Sequence, residues 1–361
     1  MQAKRVLMGI DGYIDETWSV AKTKNGPTDY ILYEKLKDFS LFLSSRDSGG
    51  IAANLVKKRR ECGGFVGNTA KGLVALGVKP RLIGMFGDGE IDPAFAGLTE
   101  CDMTSLGAPA LCIILEFYDG KIMLAHSDAV QGLTWSGLES AVGREKLAEM
   151  VRDSEILALG YWSNMPDFER IIEGLAGLGD SSHELFLDFA DIAKRPPGAL
   201  RSGLEAMRKA RALGLKVTIS LNIHEANCLA GHFGISSVIS QESAASAANA
   251  TESLKKLTGV DQIAIHAAPY AVSLGESLRI VEAQPIEHPV RSTGAGDMFN
   301  AGYIASMAWG LGEKERLEVA MATARSFVGT GSIKCISQNS EMAPEKSWRM
   351  LQRRIFPAPR I

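Results

Sequence analysis

From residue 134 onward, the chain alternates short apolar runs with longer amphipathic segments. This rhythm predicts parallel strands joined by helices, and a parallel sheet needs helices on both of its faces. We therefore predict an α/β fold of three layers, in which helices cover a doubly wound, mostly parallel sheet. The predicted strands are 156–159, 184–188, 216–221, 262–266 and 271–274. The predicted helices lie near 136–152, 166–179, 200–214, 224–233, 243–258, 295–310 and 313–330.

The first third of the chain is less regular. Val6–Ile10 and residues 81–86 are short apolar runs that predict strands, and Gly63-Gly64 begins a helical pattern. Asp119-Gly120 lies between two β-rich runs, which is a strong signal for a hairpin.

Two segments of this region, residues 15–62 and 104–130, do not fit the alternation of strands and helices. We expect them to form a small β-rich lid over a single domain that spans residues 1–361. The basic run Lys57-Lys58-Arg59-Arg60 is either a phosphate site or, as we prefer, the solvated face of an edge strand.

Composition excludes several classes of protein. Thirty-nine basic and 42 acidic residues leave a net charge of −3, so we expect no nucleic-acid partner. The N-terminal apolar run is too short for a signal-peptide core, and no stretch reaches the roughly 18 apolar residues of a membrane helix, so we expect a cytoplasmic protein without a membrane partner. The cysteines are odd in number and form no Cys-x-x-Cys pair, which indicates reduced thiols. They are Cys62, Cys101, Cys112, Cys228 and Cys335.

Residues 290–302 carry the clearest chemical signal. The turn Gly294-Ala295-Gly296 ends in Asp297, and an apolar helical pattern begins at once. Small residues allow close approach of a phosphate, and a helix N-terminus offers it free N–H groups. A carboxylate beside that anion suits a base that deprotonates an attacking hydroxyl. From these residues alone, an ordinary tight turn remains an equal alternative. The chain has no P-loop motif, and Phe299 stands where a Rossmann fingerprint needs glycine or alanine.

Three separated segments, in this order, resemble elements of the ribokinase-like (PfkB) carbohydrate kinases. The first runs from Gly63-Gly64 through Asn68 to Ala70 and continues into the strand at 83–88. The second is Asn222-Ile223-His224-Glu225, and the third is the turn that ends at Asp297. The resemblance covers nearly the whole chain. It implies a ribokinase-like fold and transfer of the γ-phosphoryl group of ATP to a hydroxyl of a small sugar or polyol, with Mg²⁺.

The resemblance also implies roles on the phosphate side. Asp297 is similar to the catalytic base, and the N–H groups of Gly294, Ala295 and Gly296 are similar to the anion hole. Thr293 is placed beside the nucleotide. Asn222 and Glu225 are similar to the pair that organises Mg²⁺ through water, although Glu225 could instead serve only the start of its helix.

On the acceptor side, the resemblance assigns substrate hydroxyls to an acid after the first strand. We prefer Asp15 for this role, with Asp11 as the alternative, and the other acid as a turn residue. Gly64 and Asn68 are expected to contact the same substrate. A lid is expected to exclude water, which is a competing acceptor.

The chain departs from the family pattern at two points. Arg291-Ser292 replaces the usual Asp-Thr, whose acid in several members helps to hold a monovalent cation. We therefore predict that potassium is not required; an Arg291 that points to solvent is the alternative. The segment 266–270 lacks the family's two glycines, which leaves the nucleotide open. His266 there could contact a phosphate or could simply pack.

Three functions remain open from the sequence. A sugar kinase is our prediction, with a nucleoside kinase as the alternative acceptor class. A silent sugar-binding or regulatory protein of the same fold is favoured by the altered 266–270 loop but disfavoured by the intact Asn222, Glu225 and Asp297. We further consider a homodimer that pairs through the lid.

Overall fold

The computed structural model describes residues 3–45, 49–236 and 238–333. Cys335 and the end of the predicted domain lie outside the described residues. The other four cysteines are free thiols. Among the described residues, no helix is both long and apolar enough to cross a membrane.

The structure contains a large sheet, a small sheet and the helices that cover them. The strands are β1 (Val6–Ile10), β2 (Tyr13–Lys24), β3 (Tyr30–Leu32), β4 (Asn54–Gly63), β5 (Arg81–Gly84), β6 (Met103–Ser105), β7 (Ala110–Glu116), β8 (Lys121–His126), β9 (Ile156–Gly160), β10 (Glu184–Asp188), β11 (Lys216–Asn222), β12 (Gln262–His266), β13 (Tyr270–Leu274) and β14 (Leu278–Glu282). The helices are α1 (Leu36–Ser44), α2 (Gly64–Ala75), α3 (Asp128–Gln131), α4 (Trp135–Val142), α5 (Arg144–Arg152), α6 (Phe168–Ala176), α7 (Pro197–Ala212), α8 (Ile223–His232), α9 (Ala244–Thr258), α10 (Ala295–Ala308) and α11 (Glu313–Thr330).

The large sheet has nine strands in the order β14-β13-β12-β11-β10-β9-β1-β5-β6. All pairs from β6 to β12 are parallel, and β13 and β14 add an antiparallel edge. In β9, Leu157 and Leu159 face one core and Ile156 and Ala158 face the other, as the period of two in a strand requires. Helices α4 to α9 cover the first face, and α2, α10 and α11 cover the second. The predicted α/β, three-layer, mostly parallel fold is confirmed.

Most predicted elements agree with the structure to within a few residues, and the differences have physical causes. The predicted helix at 136–152 is divided at Gly143, whose φ of 89° is incompatible with a continuing helix. The edge strand β14 was not predicted, because most of its residues are exposed and it has no apolar run.

The small sheet consists of β2, β3, β4, β7 and β8. The predicted hairpin is confirmed, with Glu116 opposite Lys121 across Asp119-Gly120. Helix α1 packs on this sheet through Phe39, whose ring centre is 5.5 Å from that of Phe117. It was not predicted, because residues 15–62 show no helical period.

The basic run at 57–60 lies on β4, which pairs only with β2 among the described strands. This segment therefore lies on an edge strand, as we preferred. Neighbouring acidic side chains balance its positive charges. The ion pairs are Lys57 with Glu16, Lys58 and Arg59 with Glu116, and Arg60 with Asp92.

The parallel strands bring several polar residues to one edge of the large sheet. Asp188 ends β10, and Asn222 lies beside His266 at the ends of β11 and β12. Helix α10 begins near the same edge, and its first turn carries Asp297. Ligands of open α/β sheets bind beyond the carboxyl ends of the strands, so this edge is where a site is expected.

Packing of α10 against the sheet should contribute strongly to stability. Phe186 is fully buried, with its ring centre 5.8 Å from that of Tyr303 on α10. We expect Phe186→Ala to lower the free energy of unfolding by about 3–5 kcal/mol, because it leaves a cavity between the sheet and the helix. Urea denaturation measures this change. Leu213→Ala, at a side chain that is 51% exposed, is the control and should change little. Equal effects of the two substitutions would contradict the packing role.

Candidate active site

A cavity of about 410 Å³ lies where the small sheet faces the carboxyl edge of the large sheet. Eleven of the twelve residues that the sequence singled out line it. They are Asp15, Gly64, Asn68, Asn222, Glu225, His266, Thr293, Gly294, Ala295, Gly296 and Asp297. The cavity thus gathers residues that are more than 280 positions apart in the chain, which is the arrangement that the resemblance implies.

Asp11 does not line this cavity. Its fully buried carboxylate accepts hydrogen bonds from the N–H groups of Phe65 (2.7 Å) and Val66 (2.8 Å) at the start of α2. Burial raises the pKa of Asp11 to about 7, against the effect of these two bonds. Gly64 fits beside it because a Cβ would lie 2.5 Å from Asp11 Oδ2. The carboxylate of Asp11, the alternative acceptor ligand, thus binds the start of α2 and does not line the cavity.

Asp15 lies on β2, opposite Glu61 of β4, and not in the turn that follows β1. It faces the cavity, although its residue is only 7% exposed. Gly63 makes room for it, since a Cβ there would approach the carboxylate to 2.3 Å. Burial raises the pKa of Asp15 to about 6, while the positive charge of Lys71 opposes the rise.

Asp297 occupies the first turn of α10 and is buried. Its Oδ1 accepts a hydrogen bond from the Tyr161 hydroxyl at 2.6 Å, and its Oδ2 accepts one from Asn68 Nδ2 at 3.0 Å. Burial raises the pKa of Asp297 well above its usual value; the hydrogen bond from Tyr161 lowers it, and the charge of Asp188 raises it. The carboxylate is thus held in one orientation by two donors, each of which stabilises its charged form.

The turn before Asp297 has the form of an anion site. Gly294 adopts a φ of 87°, a left-handed conformation that favours glycine, and it caps α10. The Ala295 N–H donates to the Ser292 carbonyl at 3.2 Å, so it is already engaged. The N–H of Gly296 belongs to the first helical turn, whose donors have no partner within the helix. The dipole of α10 adds positive potential at this point.

Asn222 and Glu225 form a capping box at the start of α8. The Glu225 N–H donates to Asn222 Oδ1 (3.0 Å), while both Glu225 oxygens accept from Asn222, at 2.8 Å and 2.6 Å. Burial, together with the charge of Asp188, raises the pKa of Glu225 well above its usual value. Glu225 therefore serves the start of α8, which is one of the two roles expected for it. Binding of a metal ion would be a second role.

The carboxylates at this edge fit a hydrated divalent cation. No group of three or more His, Cys, Asp or Glu among residues 3–45, 49–236 and 238–333 is arranged to hold a metal ion directly. Asp188 is buried, and burial raises its pKa to about 6. The buried Asn300 donates to Asp188 while its own Oδ1 has no partner within the described residues. Mg²⁺ prefers such oxygen ligands and keeps several waters, which suits acids that face one cavity without enclosing it.

His266 packs against the ring of Phe299, with centres 4.5 Å apart. Burial lowers its pKa to about 4, so it is neutral at physiological pH. The His266 ring thus packs in the interior, and it also lines the cavity close to Gly296.

Sequence reasoning missed several polar residues of the cavity, among them Tyr161, Lys121 and Lys194. Lys121 donates to Thr293 at 2.7 Å. Arg291 does not point to solvent, because it pairs with Glu61. Tyr161 carries no motif, and only its position directly after strand β9 could have indicated a site.

The hydrogen bond from Tyr161 should be measurable through the pKa of Asp297. We expect Tyr161→Phe to raise this pKa further, since the substitution removes a donor to the charged carboxylate. A ¹³C NMR titration of the aspartate carboxyl groups measures the change. Tyr118→Phe, at a residue that is 92% exposed, is the matched control and should leave the titration unchanged. An unshifted or lowered Asp297 pKa in Tyr161→Phe would contradict the contact.

Comparison with known proteins gives concordant matches. The family model described as prokaryotic ketohexokinase (Khk) matches residues 1–340. A ketohexokinase from Haloferax volcanii is 32% identical over 337 residues, which are 91% of this chain and 88% of that protein.

Solved structures share the fold. A probable sugar kinase from Rhizobium etli CFN 42 has a TM-score of 0.64 at 18% identity, covering 97% of this chain and 99% of that one. A mutant of phosphofructokinase-2 from Escherichia coli has a TM-score of 0.62 at 12% identity, covering 98% and 100%. At these identities the structural matches support the fold alone.

Proposed function

Because the chain belongs to the prokaryotic ketohexokinase family, and is thus an ATP-dependent carbohydrate kinase of the ribokinase-like type, we propose that its acceptor is a ketohexose. The proposed reaction moves the γ-phosphoryl group of ATP to one hydroxyl of this sugar. The observation that carries the proposal is the buried Asp297, which faces the cavity beside the N-terminus of α10. A base next to an anion site is the arrangement that phosphoryl transfer to a hydroxyl requires.

The acceptor half of the cavity is proposed to be the wall formed by Asp15, Gly64 and Asn68. A carboxylate can accept hydrogen bonds from two neighbouring hydroxyls of a sugar, and an amide can both donate and accept. Gly64 lets the backbone approach the ring closely. Asn68 has a second role, since it also orients Asp297.

Asp297 is proposed to take the proton of the attacking hydroxyl. A buried carboxylate with a raised pKa is a stronger base than one in water, provided that it is ionised. Tyr161 and Asn68 favour the ionised form through their hydrogen bonds. The N–H groups of Gly294 and Gly296 and the dipole of α10 then stabilise charge on the transferred phosphoryl group, whereas the Ala295 N–H is engaged by the Ser292 carbonyl.

ATP is proposed to lie along the edge that Thr293, His266 and Asn222 border. Mg²⁺ would be held through water by Glu225 and Asn222, with Asp188 nearby, and would neutralise charge on the triphosphate. The small sheet is proposed to act as the lid that keeps water from the reacting groups. Pairing of two chains through this lid, a cytoplasmic location and the lack of nucleic-acid or membrane partners stay predictions from the sequence.

The proposal is tested with Asp297→Asn and a panel of acceptors. We expect wild-type protein to phosphorylate ketohexoses faster than nucleosides, and Asp297→Asn to lose about 10²–10⁴-fold in kcat. ATP and sugar binding, measured by calorimetry, should persist. Asp128→Asn, at an exposed side chain, is the control and should keep wild-type turnover. Near-normal turnover of Asp297→Asn would refute the assignment of Asp297 as the base. Preference for a nucleoside would refute the proposed ketohexose acceptor.

Independence of potassium is a separate proposal. Arg291 lies three residues before Gly294, the start of the Gly294–Gly296 turn (the phosphate turn), and its side chain contacts Glu61; a guanidinium cannot ligate a cation. We expect kcat to stay unchanged when potassium chloride replaces sodium chloride at equal ionic strength. Lithium chloride serves as the third salt. A severalfold activation that is specific to potassium would contradict this expectation.

A further inference from the structure

Two strands of the small sheet each carry a charged side chain that contacts the loop preceding α10. From β4, Glu61 accepts a hydrogen bond from Arg291 Nη2 at 2.6 Å, and Arg291 Nη1 lies 3.5 Å from the other carboxylate oxygen. From β8, Lys121 Nζ donates to Thr293 Oγ1 at 2.7 Å. Both edges of the small sheet are therefore tied to the three residues just before Gly294.

The pair of Glu61 and Arg291 is better supported than an ordinary surface ion pair. The two side chains are 26% and 21% exposed, and the guanidinium lies over the ring of Phe327, 5.2 Å from its centre. Lys71 Nζ, 3.5 Å from Glu61, holds the other side of the carboxylate and also donates to the Cys62 carbonyl. Burial alone would raise the pKa of Glu61, but the charges of Lys71 and Arg291 outweigh it and keep this pKa low.

Glu61 lies next to the acceptor wall. It lies opposite Asp15 in the pairing of β2 with β4, two residues before Gly63 and three before Gly64. Arg291, in turn, is three residues before Gly294, where the phosphate turn begins. One ion pair thus connects β4, which pairs with the strand of Asp15 and leads into α2, with the loop that precedes the Gly294–Gly296 turn.

We propose that Glu61 and Arg291 are a positioning pair that fixes the phosphate turn relative to the acceptor wall. The inference rests on the proposed function, because it assigns the Gly294–Gly296 turn to the phosphoryl group. Its consequence is that the anion site is aligned only while the small sheet is in place. Misplacement of reacting groups by a fraction of an ångström to one ångström is costly for transfer, so a single pair of this kind can control the rate.

The test is a double-mutant cycle with Glu61→Gln and Arg291→Gln. We expect each substitution to lower kcat by about tenfold, and the double variant to be no slower than the slower single variant. The dissociation constant for ATP should stay near its wild-type value, because neither side chain reaches the edge at Asn222. Arg291→Lys keeps the charge and should retain more activity than Arg291→Gln; it also replaces Arg291→Gln in the cycle if that variant folds poorly.

Lys58→Gln is the matched control. Lys58 lies on the same strand and pairs with Glu116, away from the phosphate turn. This variant should keep wild-type kcat. If Glu61→Gln and Arg291→Gln behave like Lys58→Gln, or if their effects multiply in the double variant, the positioning pair is refuted.

A second readout separates positioning from a simple effect on the charge of Asp15. Glu61 raises the pKa of Asp15, whereas Arg291, Lys71 and Lys121 lower it. If Glu61 and Arg291 acted on the rate through the charge of Asp15, the two substitutions would shift the pH dependence of the acceptor KM in opposite directions. Positioning predicts losses of kcat in the same direction for both, and opposite KM shifts without loss of kcat would overturn it.

Failure of this inference can be told apart from failure of the proposed function. Asp297→Asn, assayed beside the cycle, reports on the base and the anion site directly. If Asp297→Asn is inactive while both members of the pair are dispensable, only the positioning pair is wrong. If Asp297→Asn is active, the assignment of the phosphate turn fails first.

Discussion

The site depends on the hydrogen bonds between the Asp11 carboxylate and the N-terminus of α2. They tie the residue that follows strand β1 to the first turn of a buried helix. An acid at this position satisfies N–H groups that the helix leaves unpaired and interacts favourably with the helix dipole. With α2 fixed in this way, Gly64 lines the cavity and Asn68, one turn later, contacts Asp297. A residue without access to the cavity therefore determines where two cavity residues lie.

Charge explains the remaining organisation of the cavity. Burial raises the pKa values of Asp15, Asp188, Glu225 and Asp297 together, and this cost is only partly offset by hydrogen bonds. A site that places several acids near one another favours the arrival of positive charge. A magnesium ion that accompanies a triphosphate supplies such charge, and the lysine on β8 supplies part of it from the protein. The buried acids would therefore favour binding of the proposed magnesium and triphosphate, in addition to any part in catalysis.

Sequence reasoning recovered the large sheet and most of the cavity because both have local signals. Buried parallel strands are short apolar runs, and the turn before Asp297 combines glycines with a helix start. It failed where the signal is not local. Helix α1 packs through a few aromatic residues in an otherwise polar segment, and Tyr161 acquires its importance only from Asp297, which is 136 positions away. The different surroundings of Asp11 and Asp15 depend on contacts with α2 and with β4, which no run of residues reveals.

The strand order of the large sheet has a consequence for how the chain assembles during synthesis. Strand β1 pairs with β5 across about 75 residues and with β9 across about 150. The strands of the small sheet are complete once residue 126 has been made, whereas the Gly294–Gly296 turn is made much later. A growing chain can therefore form the small sheet early, while β1 of the large sheet still lacks its partner β9. The two halves of the cavity are made at different times, and they meet only when the last helices are added.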